Sequence, residues 1–151
     1  MAESRSIPIA SMQKRITAFV IDDLIISMFF MIIFYDQISN LFSNITEIDQ
    51  ATLEQMNMFI AENILIVFAI KVLYHTVLIW QNGMTIGKYV VKIKVIDLNS
   101  EQQPSFQQAF LRASVRLISE ALLYVGFIMA FFTPLRQTLH DKFSNCVVID
   151  V

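Results

Sequence analysis

The chain has 151 residues, of which 56% are hydrophobic and only 16% charged, with a mean hydropathy of +0.58 and a net charge of −2. An ordinary soluble domain carries about 25% charged residues, so this chain has too little charge to cover a water-facing surface. Three Gly and three Pro exclude collagen-like and low-complexity classes, the single Cys146 excludes a disulfide framework and a cysteine zinc site, and the near-neutral charge gives no reason to expect nucleic acid.

The first uncharged run, residues 24–35, has twelve residues, whereas a straight membrane span needs about 20 at 1.5 Å each. A span over about 14–36 therefore carries Asp22 and Asp23 into the bilayer. Lys14 and Arg15 ahead of an apolar run resemble the head of a secretory signal. The two aspartates interrupt that run and no small-x-small cleavage site follows, so the segment reads as a retained helix. From residue 36 to residue 63 there are five acids and no Lys or Arg. Asn44-Ile45-Thr46 in this loop spells a glycosylation sequon, for which chance is the better reading. A second span, about 60–81, carries Lys71 and His75, and Lys88, Lys92 and Lys94 follow it. The positive-inside rule then predicts a cytoplasmic N-terminus, a cytoplasmic segment after Gln81 and an outer acidic loop.

Residues 88–97 carry a strand signature: Lys88, Lys92 and Lys94 share one parity, and Tyr89, Val91, Ile93 and Val95 the other. Val147, Ile149 and Val151 repeat the alternation in a C-terminal strand, residues 145–151, and the two segments can pair. Ser105 with Gln108 reads as a capping box that opens a helical region, 105–135, just after Pro104. Arg112, Arg116 and Glu120, four apart, share one face of it, with Phe106, Ala109, Phe110, Ala113 and Leu117 expected on the other. Arg136 and Lys142 beyond the last apolar run, and the pairing of the strands, both ask for a cytoplasmic C-terminus. A helical hairpin that enters and returns, turning near residues 124–126, satisfies both; a third straight span is the alternative. The sequence thus predicts a single-domain, all-α membrane protein. It has two spanning helices plus a C-terminal helical hairpin or third span, and a small cytoplasmic two-stranded β element.

Ionisable groups inside a span are rare and often functional. Arg15 and Asp22, seven apart, share a helix face, with Asp22 about 10 Å along the axis. In the second span, running the other way, Lys71 and His75 sit about 14 and 8 Å from the Trp80 end, at a depth matching Asp22 and Asp23. Asp22 is therefore expected to find its cation in Lys71 or His75, and only one of the two aspartates need face inward. Ion pairs that merely fix helix register, or snorkelling, are the alternative for all of these charges. At the interface, for Lys14, Arg15, Arg136 and Lys142, that is the better reading.

Other motifs are weaker. Gly83-Met84-Thr85-Ile86-Gly87-Lys88 is one residue short of a phosphate loop and follows a membrane helix, so its glycines read as a tight turn. The lysines of the expected strand read as a solvated face or as contacts to anionic headgroups. His140-Asp141 could be a base and its orienting group, but no nucleophile pattern accompanies it, so no enzyme activity is expected. Two His and one Cys predict no metal site, and nothing predicts a cofactor.

An ordered set of short motifs resembles the RDD family of small membrane proteins. It runs Arg15-x-x-Ala18-x-x-x-Asp22, Gly83-x-Thr85-x-Gly87-Lys88, Val95-Ile96-Asp97, Pro104-Ser105 through Ala109 and Arg112, then Leu135-Arg136-Gln137-x-Leu139-His140-Asp141 and Val147-Val148. The resemblance covers residues 12–151. It maps the family's arginine onto Arg15 and its two aspartates onto Asp22 and Asp141. Ser144-Asn145-Cys146 departs from the family's frequent Ala-Gly-Thr. The resemblance implies a multi-pass protein of a bacterial or archaeal inner membrane, and raises transport or sodium–proton exchange.

Two readings follow. In one, the chain is a transporter or cation/proton exchanger. Its network of Arg15, Asp22, Asp23, Lys71, His75, Arg112, Arg116, Glu120, Arg136, His140 and Asp141 handles a monovalent cation or proton, with Arg15 and Asp141 as a gate. One protomer is small for a conduction path, so a homo-oligomer within the lipid bilayer is expected. In the other, the chain is a non-transporting scaffold or assembly partner whose charges fix helix packing.

Overall fold

A computed structural model describes residues 8–43, 49–122 and 125–151. The sequon, Arg5 and Glu47 lie outside the described residues. Helix α1 (Met12–Ile33) opens at Ser11, whose hydroxyl accepts from Lys14 N, and breaks at Phe34. A short amphipathic helix, α2 (Tyr35–Ser43), continues from it. Helix α3 (Gln50–Asn82) is capped by Asp49 and runs 33 residues, starting ten residues before the expected span. Both α1 and α3 are long and apolar enough to cross a membrane. Leu24, Met28 and Ile32 on α1, and Leu65 and Leu73 on α3, are all more than 60% exposed. Apolar stripes of that extent are tolerable only against lipid or a partner. At the end away from the sheet, the ring of Phe59 packs 6.2 Å from Phe30 and 6.1 Å from Phe34, joining the two helices.

Helix α3 ends at Gly83, which takes the left-handed conformation (φ 69°) and passes its carbonyl to Val95 N at 2.8 Å. The tight turn expected there is present. The strand expected over 88–97 is only half present: residues 86–90 form a one-turn helix, α4 (Ile86–Val90), capped by the Thr85 hydroxyl. Strand β1 (Ile93–Asp97) begins after Lys92, which adopts φ 56°. It pairs antiparallel with β2 (Cys146–Asp150), Val95 opposite Val148, as the alternation predicts. Ala10 N donates to Val148 O and Asp150 N to Pro8 O, so the N-terminal segment covers the other edge of β2.

Helix α5 (Phe106–Ala121) opens with the expected capping box, Ser105 and Gln108 bonding reciprocally. A short helix, α6 (Val125–Ile128), and a 3₁₀ turn (Met129–Phe131) follow, bent 112° from α5. The bend falls where the hairpin was expected to turn, and the pair is either a broken third span or a re-entrant hairpin; residue 124 of the expected turn lies outside the described residues. Residues 132–138 are not helical, and α7 (Leu139–Phe143) leads into β2. The fold is thus mostly helical, with two membrane-length helices, a bent third helical pair and one small antiparallel sheet. The fully buried core gathers where the sheet meets α1 and α5: Ala10, Ala18, Ile79, Ile93, Val95, Ala109, Cys146 and Val148.

The faces of α5 are inverted relative to a water-soluble helix. Phe106, Phe110 and Ile118 are half exposed, while Arg112 and Arg116 are buried. Ala109 and Ala113 lie on the arginine face, not opposite it, because only small residues let charged side chains lie flat between α5 and its neighbours.

Candidate functional site

Asp22 is fully buried on α1, about halfway along the helix. Its carboxylate accepts from Tyr74 Oη at 2.8 Å, Thr85 Oγ1 at 2.6 Å and Gly87 N at 2.8 Å, with Lys88 Nζ at 3.8 Å. Lys71 or His75 was expected as its partner from depth, but neither is. Depth along an axis says nothing of azimuth, and adjacent aspartates point about 100° apart. Asp22 faces α4, and Asp23 faces Lys71. The Gly87 position is demanded by this contact: a β-carbon there would collide with the Ala18 carbonyl and lie 2.8 Å from Asp22 Oδ1.

Lys88, expected on a solvated face or at lipid headgroups, is buried instead, with its ammonium 3.5 Å from the Thr85 hydroxyl. Burial, then repulsion from Arg112, pulls it down to about 7 in spite of Asp22. Tyr74, Thr85, Gly87 and Lys88 had no place in the expected network. Thr85 two residues before a glycine was the available sign: an N-cap at a close backbone approach.

Asp141, on α7, is the second buried carboxylate. Arg112 grips Oδ1 through Nε, at 2.9 Å, and through Nη2, and Arg15 Nη1 reaches Oδ2 at 3.1 Å. The same carboxylate accepts from Thr138 N, closing the capping box of α7. Burial alone would raise Asp141, but Arg112 and Arg15 outweigh it and hold the carboxyl well below the usual carboxylate range. His140 adds to this only when protonated, and burial holds it far below its ordinary value, in spite of Asp141 at 3.8 Å. Arg15 also donates to the carbonyls of Arg136, at 2.6 Å, and Val148, at 3.1 Å. So Arg15, its side chain 9% exposed, ties α1 to α7 and β2. Arg136 enters only through its carbonyl; its side chain is exposed and lies outside the network.

The third group joins the membrane helices to α5. Lys71 Nζ lies 3.1 Å from Asp23 and 2.9 Å from Glu120, and Arg116 Nε bonds the other Glu120 oxygen at 3.0 Å. Arg116 Nη1 is 3.4 Å from His75 Nδ1, which serves as acceptor because a guanidinium has no lone pair to offer. The Arg116 guanidinium stacks over Phe19 at 5.1 Å and Phe127 at 5.9 Å. This group is partly exposed: side-chain exposure is 43% at Asp23, 22% at Lys71 and 11% at Glu120. Among the described residues, no cluster of three His, Cys, Asp or Glu side chains is placed to hold a metal ion.

Two apolar helices of membrane length, folded around buried ion pairs, define a small integral membrane protein whose charges face inward. The chain belongs to the RDD family, whose pattern it matches over residues 9–145. A 69-residue segment, 46% of this chain, is 32% identical to the proline-rich antigen homolog of Mycobacterium tuberculosis H37Rv and spans 29% of that protein. It is 30% identical to the proline-rich antigen of Mycobacterium leprae, spanning 28% of it. The matched segment is thus less than a third of either relative's length. No solved structure matches the chain.

Proposed function

We propose that this chain exchanges a monovalent cation for protons across a bacterial or archaeal inner membrane, as a homo-oligomer with its N-terminus in the cytoplasm. The observation that supports this is Lys71, an ammonium held between two carboxylates, Asp23 and Glu120, at a partly exposed position between helices. A tethered ammonium there occupies the place a free monovalent cation would take. Displacing it leaves two facing carboxylates, of which one favours taking up a proton. Asp22, first in line for this role by sequence, is saturated by three donors and better suited to holding α4 in place. The experiment is proton flux in proteoliposomes carrying a pH-sensitive dye. Sodium- or potassium-dependent flux is expected, lost in Glu120→Gln and reduced in Asp23→Asn. No cation-dependent flux, or flux indifferent to both substitutions, overturns the reading.

A second reading, a non-transporting scaffold, is favoured by the way Asp22 and Asp141 use most of their bonds to join elements of the fold. It predicts that Asp141→Asn lowers abundance and partner co-purification while an isolated, folded Glu120→Gln protein behaves as the parent.

A further inference from the structure

Beyond the Lys71 group lies a cavity of about 240 Å³ that neither reading above uses. Its inner wall is polar: Arg15, Lys88, Arg112, Arg116, His140 and Asp141 all line it. Its remaining wall is apolar, from Ile16, Phe19, Phe127, Ile128 and Phe131. Ile16, Ile128 and Phe131 are more than half exposed, so the opening lies among exposed apolar side chains.

Two features of the inner wall ask for an anion. Arg15 Nε and His140 Nδ1 are both buried without a hydrogen-bond partner, and both residues line the cavity. A buried polar nitrogen left unpaired is costly, and in native proteins such groups usually have a partner. The charges do not balance either. Lys88 has Asp22 beside it, and Arg116 and Lys71 share Glu120 and Asp23. Arg15 and Arg112 share the single carboxylate of Asp141. Around Asp141 two guanidiniums therefore face one carboxylate, and that excess of positive charge borders the cavity. Isolated buried charge is strongly disfavoured, which makes this wall attractive to an oxyanion.

We infer that the cavity binds the phosphate headgroup of an anionic phospholipid, with the oxyanion on Arg15 and Arg112 and an acyl chain leaving past Ile16 and Phe131. Guanidinium forks match phosphate oxygens in geometry as well as charge. A free phosphate would satisfy the same inner wall but would leave the apolar mouth unused. This inference does not depend on ion exchange and stands or falls by binding alone.

The test uses the full chain purified in neutral detergent, supplied with phosphatidylglycerol, phosphatidylcholine or inorganic phosphate. Phosphatidylglycerol is expected to raise the melting midpoint by several degrees and to survive as one adduct per chain in native mass spectrometry. Phosphatidylcholine, whose quaternary ammonium cancels the phosphate charge, is expected to do neither. Ile16→Trp, which fills the mouth and leaves every charge in place, is expected to keep the lipid-free melting midpoint and lose the adduct. Ile128→Trp serves in its place if that variant is not monodisperse. Equal stabilisation by phosphatidylcholine, full stabilisation by inorganic phosphate alone, or an adduct that survives in a folded tryptophan variant overturns the assignment.

Discussion

The backbone N–H of Gly87 donates to Oδ1 of Asp22 at 2.8 Å, and this bond ties a five-residue helix to a buried charge in a membrane-length helix. It explains why a glycine stands there, since any β-carbon would meet the Ala18 carbonyl. Gly87→Ala should force α1 and α4 apart and lower stability by about 1–3 kcal/mol, the usual range for overpacking a tight contact. Thermal unfolding in detergent measures this. A melting midpoint equal to the parent's would mean that α4 is not seated on α1.

Asp141 receives two guanidiniums of unequal grip. Arg112 bonds it through two nitrogens, whereas Arg15 gives one bond to Asp141 and divides the rest between two carbonyls. Breaking a buried ion pair by removing one partner typically costs about 3–5 kcal/mol. Arg112→Gln should fall at the upper end of that range and couple to Asp141→Asn in a double-mutant cycle more strongly than Arg15→Gln does. Equal couplings would contradict the geometry.

Much of this architecture is legible in the chain, and the misses have physical causes. The two membrane helices follow from residue counts, the α5 start from Ser105 and Gln108, and the sheet from alternation around Val95 and Val148. The pairing of Arg15 with Asp141 rested on the family resemblance, because no local pattern links residues 126 positions apart. Lys88 was misplaced because three lysines at even spacing imitate a strand, while the Thr85 cap and the Gly87–Asp22 bond favour a helical turn. The partners of Asp22 were missed because axial depth was used where azimuth decides. On α5 the expected apolar face failed because lipid, not water, is outside. The arginines then go inward and take the alanines with them.

His140 and Asp141 make the fold acid-sensitive through opposite protonation states. His140 sits below its ordinary value, so it is held neutral. The stability this gives is present above about 6.5 and is lost as pH falls below it. Asp141 is depressed, so its contribution is present above the usual 3.8 and is lost only as pH falls further. Arg112, Arg116 and Lys88 face His140 and deepen the cost of charging it. The melting midpoint should therefore decline in two stages on acidification, and His140→Gln should weaken the first while sparing the second. A single decline below pH 4 in the parent would refute the role given to His140.

Lys88 predicts a rise on the alkaline side. Its folded value of about 7 lies under the ordinary 10.5, so between these limits the unfolded chain binds a proton that the folded chain releases. Stability then rises with pH across that window, by up to about 1.4 kcal/mol per unit. The groups facing Lys88 are Asp22, Arg112, Arg116 and Asp141; Cys146, whose thiol burial pushes up from 9.0, opposes the slope as pH approaches that value. Lys88→Met, which keeps the stem and removes the ammonium, should flatten the slope. It should also leave Asp22 with its three hydrogen bonds and no cation. A melting midpoint that does not change between pH 7 and pH 9 in the parent, or a slope that persists in Lys88→Met, would show that the ammonium stays charged in the fold and that Asp22 needs it so.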